Sequence, residues 1–584
     1  MKIICFSSYT SIWYFAFAEA VIAHELQKKG HEILYITPGS EFINRSNSAN
    51  ERILRKEFNL KRYELRTSIT KNDRKKIDIL MSGLTNNNFE KLIVNKINIG
   101  KIALYELMLN RKKMTLNFND REWGECLIEI KNTLISIFAC RSILKREKPD
   151  AILMYSSLYS VNHAWRKFAK QKNIPVYFLH HGGNLSDTDN TLIVAKNDSY
   201  YFFDRLIKIW EKIKNNPVNQ EMLSYITDHF LELLKAKHDL VYSSPKGNNQ
   251  INIKKIFNIN SKQKILTATM SSHDELFAAE YVGVKNKTKN LIFKTQIDWI
   301  NHLINYVKER KDLSLIIRVH PREFPNKRES LKSEHAITLE KTFKNLPSNV
   351  KINWPTDNIS IYDLAMETDV FLNAWSSVGV EMSLLGIPVV IYSKDMIHYP
   401  ADLNYLAKNI NDYFAKIEMA LNDGWSYERI KKTYRWLVLS YYRIIMRFKS
   451  KKPKSKPIKS KPSKFTQVFS KHILSSLPSR YQHLLIKLIG TIPGLKSQKT
   501  HREACRKQLL EKIDINSLIK MISKNSDTLF NDDEDNVDQV SLKEEDKYIC
   551  DEIKRLYIAL YGGLPKKIKI KKNSLRYNFK QTFN

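Results

Sequence analysis

The chain has 584 residues, too many for one hydrophobic core, so two or three domains are expected. Its 43% apolar content, with only 16 glycines and 17 prolines, excludes a largely disordered or collagen-like chain. Lysine and arginine outnumber aspartate and glutamate by 96 to 61, and this net charge of +35 points to nucleic acid, an anionic membrane surface or phosphorylated substrates.

In chain order, "KIICFS" is a short apolar strand and "YFAFAEAVIAHELQKKG" has helical spacing that ends at Gly30. "HEILYIT" is the next strand. Polar Ser7, Ser8, Thr10 and Ser11, followed by Glu19, set this opening apart from a signal peptide. No later run reaches the length of a membrane span. A mostly helical, basic section covers about 50–148. "PDAILMYSS" and "IPVYFLHHGG" then read as strands around the helix-like "VNHAWRKFAKQKN". This βαβ pattern implies a parallel sheet with right-handed crossovers.

The polar stretch "SSPKGNNQINIKK" is a hinge candidate between domains. After it the pattern restarts, with strands at "KILTATMSS", "LSLIIRVHP", "NVKINWPTD", "DVFLNAWSS" and "IPVVIYSK". Residues 405–448 read as helices. The segment 447–499 holds fourteen basic residues and no Asp or Glu, and its Lys-Ser-Pro start reads as an extended linker. The expected organisation is an α/β protein of two Rossmann-like domains, 1–245 and 256–446, facing across a cleft. A basic linker with an amphipathic segment, 447–499, and a helical extension, 500–584, follow.

Ligands of a parallel α/β sheet bind at the carboxyl ends of its strands. In the second region those ends carry Ser271-Ser272, then Arg318-Val319-His320-Pro321, then Ser376-Ser377. Hydroxyls and helix-start amides donate to phosphate oxygens, and an imidazole or guanidinium offsets their charge. In "WSSVGVEMSLLG", Ser376 or Ser377 is a suitable N-cap for a helix whose start attracts anions. Glu381, four residues after Ser377, suits the hydroxyl pair of a ribose. No GxxxxGK[ST] loop, HExxH or CxxC is present. The acidic run "NDDEDNVD" lies in a polar tail with no strand before it and reads as solvated. No metal and no cofactor is therefore expected.

The two halves, the His-Pro dipeptide and the SS-V-G-x-E helix start resemble the GT-B glycosyltransferases. More narrowly, they resemble bacterial capsule enzymes: polysialyltransferases, capsular Kdo transferases and the CDP-glycerol glycerophosphotransferases of teichoic-acid synthesis. The resemblance covers about 1–445. It implies that His320, Pro321, Ser376 and Ser377 hold the phosphates of a nucleotide donor. His181-Gly182 matches a histidine-glycine pair of the acceptor half, which makes His181 the candidate catalytic base; Glu19, on a helix rather than at its start, ranks below it.

The expected protein is a metal-independent glycosyltransferase that builds a capsular or other surface polysaccharide. Its donor is a nucleotide sugar and its acceptor a lipid-linked or polysaccharide chain. Arg318 and His320 would stabilise the departing phosphate. The cysteines at 5, 126, 140, 505 and 550 form no CxxC pair and fit a reducing cytosol. Segment 447–499 would hold the enzyme peripherally at the inner face of the cytoplasmic membrane, against anionic lipid. The alternatives are a polyol-phosphate transferase using a CDP donor and a basic nucleic-acid-binding protein. The concentration of charge in one linker, away from stacking aromatics, argues against nucleic acid.

Overall fold

A computed structural model describes residues 1–584 except 43–44, 46–47, 239, 248–250, 289–290, 448–514, 531–539, 565–571 and 584. The basic segment beyond Arg447, residues 500–514 and the acidic run 531–538 thus lie outside the described residues.

The strands in chain order are β1 (Lys2–Phe6), β2 (Glu32–Thr37), β3 (Arg62–Glu64), the hairpin β4 (Ile93–Val94) and β5 (Ile97–Asn98), β6 (Ala151–Tyr155), β7 (Val176–His181) and β8 (Thr191–Lys196). After the connector come β9 (Lys264–Thr269), β10 (Leu313–Arg318), β11 (Val350–Asn353), β12 (Val370–Asn373), β13 (Val389–Ile391), β14 (Tyr405–Leu406) and β15 (Ile445–Arg447).

Two large sheets form. The second has the order β11-β10-β9-β12-β13-β14 and is parallel throughout. Counted within the unit this is 3-2-1-4-5-6, the doubly wound order whose crevice opens where the strand order reverses. The first sheet has the order β15-β8-β7-β6-β1-β2-β3. Its β8 runs antiparallel to β7, and β15 antiparallel to β8. The wholly parallel sheet implied by the βαβ reading therefore holds only for β3-β2-β1-β6-β7. The loop from Gly182 to Asn190 is too short for a helical crossover, so the chain turns straight back.

Successive strand residues point to opposite faces, and both faces are covered. Ile3 and Cys5 enter one core and Ile4 and Phe6 another; Leu315 and Ile317 face away from Ile316 in the same manner. Burial on both sides is why these strands read as unbroken apolar runs. The 405–448 region contains β14, the helices Ile410–Asp423 and Tyr427–Val438, a π-helical turn Leu439–Arg443, and β15. The last strand returns the chain to the first sheet.

One apolar cluster joins the units. It runs from Phe178, Phe202 and Trp210 through Trp436 and Tyr434 to Ile316 and Phe371, with Trp210 and Trp436 edge to face at 5.8 Å. The C-terminal helices belong to this body. Helix Leu542–Tyr561 starts at a Ser541/Glu544 capping box and buries Ile549, Ile553 and Leu556 in the same cluster. Its Glu545 accepts from the Val218 amide at 3.1 Å and pairs with Arg435. Helix Ile515–Ser523 packs Leu518 and Met521 on the opposite face of the first sheet.

Candidate functional site

The ends of β9, β10 and β12 meet the loops of the first unit around a cavity of about 280 Å³. Arg318, His320, Pro321, Ser376, Ser377 and Glu381 all line it. These six positions span 64 residues of sequence, and strand order alone brings them together.

β10 ends at Arg318, and Pro321 starts a short 3₁₀ turn, Pro321–Glu323. Proline suits that first position because its missing N–H would have no partner. His320 precedes it with its Nδ1 accepting from the Arg322 amide at 3.2 Å. The imidazole proton therefore sits on Nε2, which presents a donor. Burial pushes the His320 pKa below its ordinary value, so the ring is neutral at physiological pH. It offers a hydrogen bond rather than the positive charge expected from the sequence.

The positive charge belongs to Arg318, which is 5% exposed. One of its nitrogens donates to the Ile359 carbonyl at 2.8 Å and also reaches Asn353. Among the described residues no carboxylate lies within ion-pair distance of it, since Asp357 is turned to the Trp354 amide and Asn353. Burial pulls its pKa down to about 10, and the charge of Asp357, on the far side of Asn353, acts against that. A buried guanidinium without a counter-ion, opening on a cavity, favours an anion there.

Ser377 is the N-cap of helix Val378–Leu384 but makes no capping bond. Its hydroxyl donates to Glu381 at 2.7 Å, while Ser376 Oγ accepts from the Val378 amide at 3.3 Å. Glu381 also accepts from Tyr362 at 2.8 Å, and burial raises its pKa. The glycine of this motif is structural, because a Cβ on Gly379 would lie 1.9 Å from the Tyr399 hydroxyl. Asn373 locks the loop by donating to the Ser376 carbonyl at 2.9 Å and to Tyr399 at 3.1 Å.

Ser271 and Ser272 lie near but not on the cavity wall. Ser271 Oγ accepts from the Trp375 amide at 3.0 Å, tying the end of β9 to that of β12. Ser272 is turned to Glu275. Both hydroxyls are buried and engaged, so they brace the loops that carry the site.

His181 ends β7, outside the cavity. Its Nδ1 lies 2.8 Å from His180 Nδ1, and His180 Nδ1 lies 3.1 Å from the His181 carbonyl. A carbonyl only accepts, so His180 holds the proton on Nδ1 and His181 Nδ1 accepts. Burial, and after it the neighbouring His180, His238 and Arg328, push His181 down to about 3. Glu19, the lower-ranked candidate, is 2% exposed, accepts from the Tyr155 amide at 2.7 Å and is raised to about 8 by burial. The Tyr155 hydroxyl in turn accepts from the His181 amide at 2.9 Å and lies 3.4 Å from His181 Nδ1, to which it donates, so Glu19 is linked to His181 through Tyr155.

Several cavity residues carry no sequence signal. Tyr441 sits in the π-helical turn, and His229 meets it edge to face at 5.0 Å. A Cβ on Gly183 would lie 2.6 Å from the Tyr441 ring and one on Gly182 2.0 Å from Thr191 Oγ1, which accounts for the Gly-Gly pair. Arg322 anchors the units: it pairs with Asp274 at 2.9 Å, donates to Tyr242 at 2.9 Å and to the Leu109 carbonyl at 2.9 Å. Lys112, 1% exposed, spans the same junction with Leu331 at 2.7 Å and Glu329 at 3.2 Å.

No family model and no curated protein matches the sequence. Among solved structures, the chain is similar to the Thermosulfurimonas dismutans KpsC beta Kdo 2,4 transferase, at 13% identity over 52% of this chain and 82% of that one, with a TM-score of 0.31. It is also similar to the Methanocaldococcus jannaschii UDP-GlcNAc 2-epimerase, at 16% identity over 74% and 98% of the chains, with a TM-score of 0.26. A third is S. aureus MnaA bound to UDP, at 13% identity over 75% and 92%, also at 0.26. Likenesses this distant do not bear on the chemistry of the cavity.

Proposed function

We propose that the chain is a glycosyltransferase that takes a sugar from a nucleotide-activated donor and extends a capsular or other cell-surface polysaccharide. The observation that carries this reading is Arg318, buried without a counter-ion on a cavity shared with His320, Ser376, Ser377 and Glu381. The donor's phosphate completes the guanidinium. The His320 Nε2–H and the Ser376 hydroxyl donate to its oxygens; Ser377 joins them by turning its hydroxyl away from Glu381, whose freed carboxylate oxygen then accepts from the sugar hydroxyls of the nucleoside. As the bond to the sugar breaks, charge grows on the phosphate, and these fixed donors stabilise it.

In this reading 1–245 carries the acceptor and 256–446 the donor. His181 accepts the proton of the attacking acceptor hydroxyl. To do so it must reverse its pairing, donating from Nδ1 to His180 and leaving Nε2 bare, which breaks the His180 bond to the His181 carbonyl. Segment 447–499 is proposed to meet anionic lipid at the inner membrane face, where a lipid-linked acceptor is held. Among the described residues no helix is long and apolar enough to cross a membrane.

The test is calorimetry of the whole chain with CMP, CDP, UDP and GDP against a single-stranded oligonucleotide. A nucleotide should bind, and Arg318→Met and Ser377→Ala should weaken it. Tight binding of the oligonucleotide alone would overturn the reading in favour of nucleic acid. His181→Ala should lower turnover and leave nucleotide affinity nearly unchanged.

A further inference from the structure

A second groove, of about 850 Å³, lies on the first unit. It is set among the C-terminal ends of helices Asp120–Glu147 and Ser160–Gln171 and the turn of the β4–β5 hairpin. Pro149 and Ile174 of its wall lead into the amino ends of β6 and β7, whereas the donor cavity lies at carboxyl ends. Lys96, Lys145, Lys148 and Lys172 line it, and no acidic residue does. None of these four lysines has an ion-pair partner among the described residues, and all are exposed. Arg141 on the same wall is held by Asp73 of helix Lys71–Ser82 at 2.8 Å, so that helix borders the groove.

Two helix C-termini attract cations and explain part of this placement. They do not explain the exposed apolar residues on the elements that border it. Of the large hydrophobic side chains among the described residues, the two most exposed are Ile79, at 71%, and Ile93, at 61%. Ile79 lies on the bordering helix and Ile93 on the hairpin whose turn carries Lys96. A cation cluster flanked by two elements that each carry an exposed isoleucine matches a charged surface backed by hydrocarbon better than a soluble polyanion or a packed protein partner.

We propose that this groove docks the first unit on an anionic phospholipid surface, the lysines taking headgroup phosphates and Ile79 and Ile93 entering the interface. The proposal stands apart from the donor cavity and from segment 447–499. The experiment is co-sedimentation of the full chain with phosphatidylcholine vesicles, with and without about one third phosphatidylglycerol. The triple variant Lys145→Gln, Lys148→Gln, Lys172→Gln should bind anionic vesicles about tenfold or more weakly and show a shallower salt dependence. The pair Ile79→Ser, Ile93→Ser should weaken binding with the salt dependence kept. Nucleotide affinity and thermal unfolding should be unchanged in both, since every substituted side chain is exposed. Wild-type vesicle binding by the triple variant, loss of all vesicle binding on deleting 447–499 alone, or binding of soluble polyphosphate in place of vesicles would each overturn the docking.

Discussion

The two units share a scaffold but finish their strand ends differently. At the carboxyl ends of β1 and β6 the polar groups close on one another. Arg45, 4% exposed, pairs with Glu106 at 3.2 Å and with Glu129, and donates to Ser160 at 3.0 Å. Phe15 stacks on Tyr155 at 4.0 Å and fills the space between. At the ends of β9, β10 and β12 the equivalent charge, Arg318, has carbonyl and amide partners but no counter-ion, and a cavity replaces the aromatic fill. Both arginines are buried, and only one is compensated. Burial of a charge marks a ligand site when the counter-charge is missing, and marks architecture when it is present.

Substituting each arginine breaks or sharpens that contrast. Arg45→Met should cost the most stability, about 3–5 kcal/mol, because it removes a buried charge and strands two half-buried carboxylates, Glu106 and Glu129; chemical denaturation measures it. Arg318→Met should change stability far less, since the removed charge had no ion-pair partner, yet should lower nucleotide affinity by about 2–4 kcal/mol in calorimetry. Equal effects of the two on stability would erase the distinction between the units.

His320→Ala should reduce transfer about 10²–10³-fold with the fold intact, because it removes a single aimed donor. Near-normal turnover in that variant would take His320 out of the site. Gly183→Ala pushes a methyl group against the Tyr441 ring and should weaken nucleotide binding by about 1–3 kcal/mol, the usual cost of overpacking. Unchanged affinity would place Tyr441 outside the ligand's reach.

A further effect concerns pH. His229 is 8% exposed, its Nδ1 accepts from the Leu185 amide at 3.0 Å, and burial pushes its pKa down to about 3. The unfolded chain binds that proton near pH 6.5. Between these values the unfolded state holds more protons, so the stability His229 confers is full above about pH 6.5 and falls as the pH falls toward 3. His229→Asn keeps an acceptor for the Leu185 amide and should make the slope of stability against pH shallower by up to ~1.4 kcal/mol per unit over that range. An unaltered slope would mean that His229 titrates normally.

Elements with a strong local cause were legible in advance. All five strands expected after the connector are present, because burial on both faces makes each an apolar run. Aromatic, helix-compatible neighbours hide β14 and β15 in the 405–448 region, and β8, "TLIVAK", is an apolar run that the expected elements do not include. Their pairing depends on partners far away in sequence, such as Ile445 with Ile193.

By itself the sequence determined which residues end the strands of the second unit, since Pro321 cannot continue a ladder and Ser376-Ser377 starts a helix. It also determined the parallel order there, through alternating strands and crossovers. Only the tertiary structure decided what those residues do. It left Arg318 without a counter-ion and turned Ser271 and Ser272 into braces. It brought Tyr441 and His229 to the cavity from segments with no motif, and seated the C-terminal helices in the core that joins the units. Charge compensation and cavity shape depend on which distant side chains come within a few ångströms, and strand order and packing set that.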